Sequence, residues 1–279
     1  MDFDTFKKMR NDVVEWNTAN GFNISDSRVN GEFAVLQALK DHYDFFVDVG
    51  ANNGIFIDYL YASTVKESGK FPFILAFEPN PNLQEVLAKK IDKGVLVQSA
   101  LSNYQGSTTF NIYSDDDTVS SIFERNDMMP HFTKKVTQIN VKIDRLDSYV
   151  TLLQQKSAKA VFVKIDAEGV ELPIIQGAEL IFKLCPLIFL MFEYSKAWKM
   201  GNHTVKDAFH LLDKSGFKIF RLTPLGLESM RFYSPDMEGP DYCNYFAIKG
   251  LDIGEIFSKN SIRSITHNWN DFFLFPCAD

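Results

Sequence analysis

Residues 46–54 read Phe-Val-Asp-Val-Gly-Ala-Asn-Asn-Gly, an apolar run that reaches Asp48 and then breaks into Gly50 and Gly54. The run has the character of a buried strand, and the glycines permit a sharp turn that brings bare backbone N–H groups against a ligand. A helical pattern follows at once in Ile55, Ile57, Leu60 and Tyr61. The turn therefore aims a helix N-terminus, with its partial positive charge, at whatever occupies the site. A nucleotide-type pocket is the first expectation.

Beyond this stretch, strand and helix alternate, the signature of a mainly parallel sheet covered on both faces. Strands are expected at 45–49, 73–77, 95–98, 160–165, 187–192, 217–222 and 245–248. Asn80 before Pro81 caps one helix, with Leu83, Leu87 and Ile91 as its apolar face; Thr204 starts another that Gly216 ends. The last two strands have no long helix between them and are expected to pair antiparallel at the sheet edge. The segment 108–143 breaks the rhythm: strands at 109–113 and 137–143 flank a polar stretch containing Asp115, Asp116 and Asp117, a candidate lid or acceptor-binding insertion. Residues 1–43 read as a helical N-terminal extension, 44–250 as the main domain, and 251–279 as a tail packed on it, with Trp269, Phe272, Phe273 and Phe275 as its aromatic anchors.

The 279 residues, 46% of them apolar, suffice for one large α/β domain. The 26 phenylalanines are read chiefly as core packing. No apolar stretch is long enough to span a bilayer, and the start Met-Asp-Phe-Asp lacks the basic character of a signal peptide, so a cytoplasmic protein is expected. Cys185, Cys243 and Cys277 are widely spaced and read as reduced thiols. With 29 basic against 36 acidic residues the net charge is −7, which disfavours nucleic acid as a partner.

Three constellations carry chemistry. The first is Asp48-x-Gly50-x-x-x-Gly54 with Glu78 closing the next strand in Ala-Phe-Glu-Pro-Asn. Ligands of doubly wound sheets bind outside the carboxyl ends of the strands, and an acid ending the second strand can take both hydroxyls of a ribose. NAD and S-adenosylmethionine (SAM) both use such sites. The G-x-G-x-x-G turn suited to a diphosphate is incomplete here, because Asn52 stands in place of the second glycine, and Asp48 suits the ammonium of a methionine moiety.

The second is Val-Lys-Ile-Asp166-Ala-Glu168-Gly169-Val-Glu171, a strand emerging into three acids within six positions. Glu171 reads as a helix N-terminal acid and Asp166 as a pocket residue. The third is Glu193, ending the next strand. Asp166 and Glu193 side by side can orient a hydroxyl or take its proton; they also suit a divalent metal ion, although carboxylates on separate elements are a non-specific pattern for one. The five histidines show no metal-ligand spacing. His203 and His210 read as surface or helix-end residues on one face of a helix, and His131 as a weak catalytic candidate. Ser120 and Ser121 lack a nucleophile-elbow setting.

In this order, the motifs at 46–54, 76–81 (Ala-Phe-Glu-Pro-Asn-Pro), 98–102 (Gln-Ser-Ala-Leu-Ser), 119–121, 145–147 (Arg-Leu-Asp) and 163–171 resemble the FkbM-type family of SAM-dependent methyltransferases. The resemblance covers about residues 44 to 195. It implies a class I methyltransferase (Rossmann-like) fold: a seven-stranded, mostly parallel sheet with helices on both faces and an antiparallel last strand. Carried over by position, Asp48, Gly50, Asn52, Asn53 and Gly54 would surround the methionine part of SAM. Glu78, with Pro79 and Asn80, would hold the ribose, and Ser99 with Ala100 would border the adenine. Asp166 and Glu193, with Glu168 in reserve, then fall at the methyl-transfer end. The family likeness implies O-methylation of a small-molecule or glycan acceptor. An NAD-dependent oxidoreductase on a related sheet, or a non-catalytic SAM-binding protein, are the competing readings.

Overall fold

The computed structural model describes residues 24–64, 71–113, 120–124, 136–239, 241–263 and 269–275. The Asp115 to Asp117 run, His131, Cys277 and the first 23 residues of the expected N-terminal extension lie outside them.

Two central strands, β1 (Phe45–Val49) and β7 (Ala160–Ile165), are buried along their whole length. Near-continuous apolar runs of this kind belong to strands covered on both faces. β1 pairs in parallel with β7 on one side and with β2 (Phe73–Phe77) on the other. β2 pairs with β3 (Gly94–Val97), and β7 with β8 (Leu187–Ser195), again in parallel. β11 (Tyr242–Lys249) then runs antiparallel between β8 and β9 (Lys218–Thr223). These seven strands have the order β3-β2-β1-β7-β8-β11-β9.

The sheet corrects the sequence reading in two respects. Among the described residues it has ten strands instead of seven, because β10 (Gly226–Ser229), β13 (Trp269–Leu274) and β12 (Ser258–Arg263) extend it beyond β9. The antiparallel pair of β9 and β11 is consequently interior. β12 and β13 come from the tail, whose buried Phe273 packs against Phe220 at 5.7 Å.

Alternation along the strands sends side chains to two cores. Phe45, Val47 and Val49 join a cluster that includes residues of α5 (Glu171–Gln176), α6 (Glu179–Leu184) and α7 (Val205–Lys214). Phe46 joins the opposite cluster with α1 (Glu32–Leu39) and α2 (Ile55–Thr64). Each buried phenylalanine contributes about 1.5–3 kcal/mol relative to exposure. Phe33 of α1 stacks on Tyr59 at 4.0 Å and meets Phe56 edge-on at 5.3 Å, fixing α1 beside α2.

A second sheet, in the order β4-β6-β5, comprises β4 (Ala100–Leu101), β5 (Gly106–Tyr113) and β6 (Val136–Asp144). β5 and β6 pair antiparallel, as the two strands expected around the insertion.

Candidate functional site

Strand register assembles the site. Val49 lies opposite both Phe77 and Ile165, and Ile165 lies opposite Phe192. One step beyond this row stand Gly50, Glu78, Asp166 and Glu193. Four residues scattered over more than 140 positions thus come to one edge because their strands end in step.

Gly50 turns the chain over β2: the N–H groups of Gly50 and Ala51 both donate to the Phe77 carbonyl at 3.0 Å. Its φ is +74°, and a Cβ there would fall 1.9 Å from the Asp166 carbonyl oxygen. Only glycine accommodates both demands. The same turn sets the Asn52 N–H to donate to Glu78 Oε2 at 2.8 Å, while the Asn80 N–H donates to Oε1 at 2.8 Å. Burial pushes the Glu78 carboxyl up to about 7. Each oxygen keeps acceptor capacity, as a ribose diol requires.

A cavity of about 960 Å³ opens over this edge. That is at the upper end of the range of about 300–1,000 Å³ usual for small-molecule sites. Gly50, Asn52, Asn53, Glu78, Pro79, Ser99, Ala100, Asp166, Glu168 and Glu193 all line it. Asp48, Gly54 and Asn80 do not. Asn80 instead caps the turn that follows, its Oδ1 accepting from the Asn82 N–H at 3.0 Å. Ser99 Oγ is buried without a hydrogen-bond partner. Phe110, Ser120 and Ile122 bring the 108–143 segment to the wall.

Asp48 is fully buried and faces Lys164, whose Nζ lies 3.3 Å from Asp48 Oδ1, 3.5 Å from Asp166 Oδ2 and 3.2 Å from the Gly50 carbonyl. Sequence reasoning passed over Lys164. Its signal was a lysine inside an otherwise apolar central strand, which must find a counter-charge. Register supplies Asp48 as its direct neighbour.

At the other end, Glu193 is 7% exposed. Burial first, then the neighbouring Asp166, Glu168 and Glu171, holds its carboxyl well above the usual range. Glu171 is turned inward, accepting from the Ala167 N–H at 2.9 Å and the Gly169 N–H at 3.1 Å, so it ties down the loop after β7. His203 precedes α7 instead of sitting on it, and its Nδ1 lies 3.1 Å from the Gly169 carbonyl. Other lining residues that the sequence did not single out include Glu32, Ser195 and Tyr242. Among the described residues, no group of three or more His, Cys, Asp or Glu side chains is placed to hold a metal ion.

Within seven strands of the main sheet, β11 is inserted antiparallel between β8 and β9, and a glycine turn faces the strand-end Glu78 across the edge. The chain belongs to the FkbM methyltransferase family: the model described as "Methyltransferase FkbM domain" matches residues 48–219. SAM is accordingly its cofactor, and the polar lining of the cavity, with the Glu78 carboxyl and the buried Ser99 hydroxyl, fits a polar group of that size. Similar solved structures include a TehB-like SAM-dependent methyltransferase from Corynebacterium glutamicum, 13% identical, covering 86% of this chain and 97% of that one at a TM-score of 0.39. A SAM-dependent methyltransferase from Aquifex aeolicus is 12% identical, with 89% and 98% covered and a TM-score of 0.38. The plantazolicin methyltransferase BpumL, solved with S-adenosylhomocysteine (SAH), is 11% identical, with 90% and 91% covered and a TM-score of 0.39. No curated protein matches the sequence.

An ionised Glu78 is the better double acceptor for a diol, so SAH affinity is expected to rise with pH through about 7, where this carboxyl titrates. Glu78→Gln should flatten that dependence and weaken SAH by roughly tenfold or more, in line with about 1.5–3 kcal/mol for hydrogen bonds to a charged group. Calorimetric titration with SAH at several pH values measures both.

Proposed function

We propose that the protein transfers a methyl group to a hydroxyl oxygen of a sugar, glycan or other small-molecule natural product. The supporting observation is the placement of Asp166 and Glu193 in the cavity that Gly50, Glu78 and Ser99 also line. When bound, SAM supplies an electrophilic methyl on a sulfonium whose departure leaves a neutral thioether.

With so good a leaving group, most of the task left to this chain is positioning. Gly50 and Glu78 fix one end of the reacting pair, and Asp166 and Glu193 hold the acceptor hydroxyl at the other. As the new O–C bond forms, the hydroxyl proton passes to a carboxylate of that pair. The cavity's many carboxyls and the net charge of −7 favour a neutral or cationic acceptor over a nucleic acid. Its outer wall is contributed by Ser25 to Arg28, Phe110, Ile122 and Tyr242. We place the reaction in the cytoplasm, in keeping with the free, buried thiols of Cys185 and Cys243. Among the described residues no helix is long and apolar enough to cross a membrane.

Asp166→Asn and Glu193→Ala are expected to lower turnover by about 10²–10⁴-fold, the span of general acid–base catalysis. Retained thermal stabilisation by SAH in both variants would place the loss in the chemistry. Label transfer from methyl-labelled SAM to a panel of glycans and hydroxylated small molecules identifies the acceptor. A protein stabilised by SAH that labels no acceptor would be a binding protein instead.

A further inference from the structure

The face of the main sheet that joins the cluster with α1 and α2 changes character at one level on two neighbouring strands. Along β8 the positions on this face are Phe189, Met191, Glu193 and Ser195; along β11, read backwards, they are Ile248, Phe246, Asn244 and Tyr242. Alternate residues of a strand share a face, and so do residues directly opposite in an antiparallel pair. Register sets Asn244 against Glu193 and Tyr242 against Ser195. An apolar surface thus gives way to a square of four polar side chains, of which Glu193, Ser195 and Tyr242 line the cavity.

The methyl transfer outlined above uses only Glu193 of the four. β2, β1, β7, β8 and β11 lie side by side at about 4.7–4.9 Å per step, so the β11 end of the cavity stands roughly 19 Å from the Glu78 end. Ser195 and Tyr242 therefore lie on the far side of the site from Glu78. Ser195 is 8% exposed, and its Oγ has no hydrogen-bond partner among the described residues. Asn244 is 2% exposed, and its Nδ2 donates to the Tyr242 hydroxyl at 3.3 Å, holding that ring in the wall. A buried polar atom left unpaired costs stability, so a hydroxyl kept in that state on a cavity wall suits a ligand that brings the partner. A ligand hydroxyl can both donate to Ser195 Oγ and accept from it.

We propose that Ser195 and Tyr242, with Asn244 supporting Tyr242, form a specificity subsite for a second hydroxyl of the acceptor, which makes that acceptor a polyol such as a sugar ring and not a phenol or a simple alcohol. Side chains two residues apart on a strand stand about 6.6–6.8 Å from one another. Glu193 and Ser195 can accordingly each take one hydroxyl of the same ring. The proposal rests on the O-methylation reading for the fate of the first hydroxyl, but recognition of the second can be measured without turnover.

The experiment offers methyl hexopyranosides of several configurations, their monodeoxy analogues, cyclohexanol and phenol to the SAH-bound protein in calorimetry, and to the protein with methyl-labelled SAM in a transfer assay. A pyranoside is expected to bind, and one of its deoxy analogues to bind at least about tenfold more weakly, because the analogue leaves the wall hydroxyl unpaired. Ser195→Ala should weaken the parent pyranoside by a similar factor yet bind parent and analogue alike, the non-additivity that marks a direct contact. In the transfer assay the loss should fall on KM more than on kcat. Because the alanine removes an unpaired buried hydroxyl, the ligand-free variant should melt no lower than the wild type, which keeps lost recognition apart from lost folding. Tyr242→Phe retains the ring and should weaken the same pyranoside.

Binding of cyclohexanol or phenol as tightly as any pyranoside overturns the proposal. So does failure of every pyranoside to bind, or a Ser195→Ala variant that still separates parent from analogue by the wild-type factor. A pyranoside held through Ser195 but never methylated would uphold the subsite and defeat the O-methylation reading, whereas methyl transfer to phenol alone would do the reverse.

Discussion

Arg221→Met is expected to lower the free energy of unfolding by about 3–5 kcal/mol, as does breaking other buried ion pairs from one side. Arg221 and Glu228 are 1% and 0% exposed and lie directly opposite one another on the antiparallel strands β9 and β10. Arg221 Nε donates to Glu228 Oε2 at 3.0 Å, and the terminal Nη2 of the same guanidinium contacts that oxygen as well. Removing the arginine takes its counter-charge from a carboxylate buried in the sheet. Removing both, as Arg221→Met with Glu228→Leu, takes away the desolvation cost together with the attraction, so the double variant should recover most of the loss or exceed the wild type. Urea denaturation, with the midpoints compared at an unchanged slope, distinguishes the cases. Equal destabilisation by the single and double changes would mean that packing, not charge, governs this position.

Gly50→Ala is expected to abolish measurable SAH binding under conditions where the wild type saturates, a weakening of at least about 100-fold, or roughly 2.8 kcal/mol. Left-handed backbone costs an ordinary residue about 1–2 kcal/mol. The larger effect is steric: the added carbon would overlap the Asp166 carbonyl, and neither backbone can yield without disturbing the register that aligns β1 with β7. Displacing Gly50 also moves the Asn52 N–H away from Glu78. Loss of SAH-induced stabilisation in a thermal melt, checked by calorimetry, measures this. An alanine variant that binds SAH normally would show that the turn relaxes independently of the cofactor wall.

The contrast between these two sites mirrors what the chain discloses when read linearly. The central strands were legible because Phe45 to Val49 and Ala160 to Ile165 are apolar on both faces, a property of the segment itself. Glu78, Asp166 and Glu193 were legible because a polar residue ending such a run lies at the ligand-binding edge of a doubly wound sheet. β10 and β12 were not, since Gly-Leu-Glu-Ser and Ser-Lys-Asn-Ser-Ile-Arg carry no strong strand pattern of their own. Their pairing is decided by β13, whose Phe273 reaches the core beside Phe220. Asp48 illustrates the same limit: in sequence it reads as an acid awaiting a ligand, because its counter-charge, Lys164, is brought alongside only by the pairing of β1 with β7.

The three-stranded sheet that carries Phe110 has a further implication. The Gly50 turn and the Glu78 strand end are rooted in the main sheet, whereas Phe110 reaches the cavity from β5, which pairs antiparallel with β6. Lengthening such an excursion is cheap, about 0.6 kcal/mol for each doubling of a flexible loop. If the wall carrying Phe110 meets the acceptor, selectivity can change through β5 and β6 while the strand ends of the main sheet stay as they are, and the β5–β6 pair is the unit to exchange.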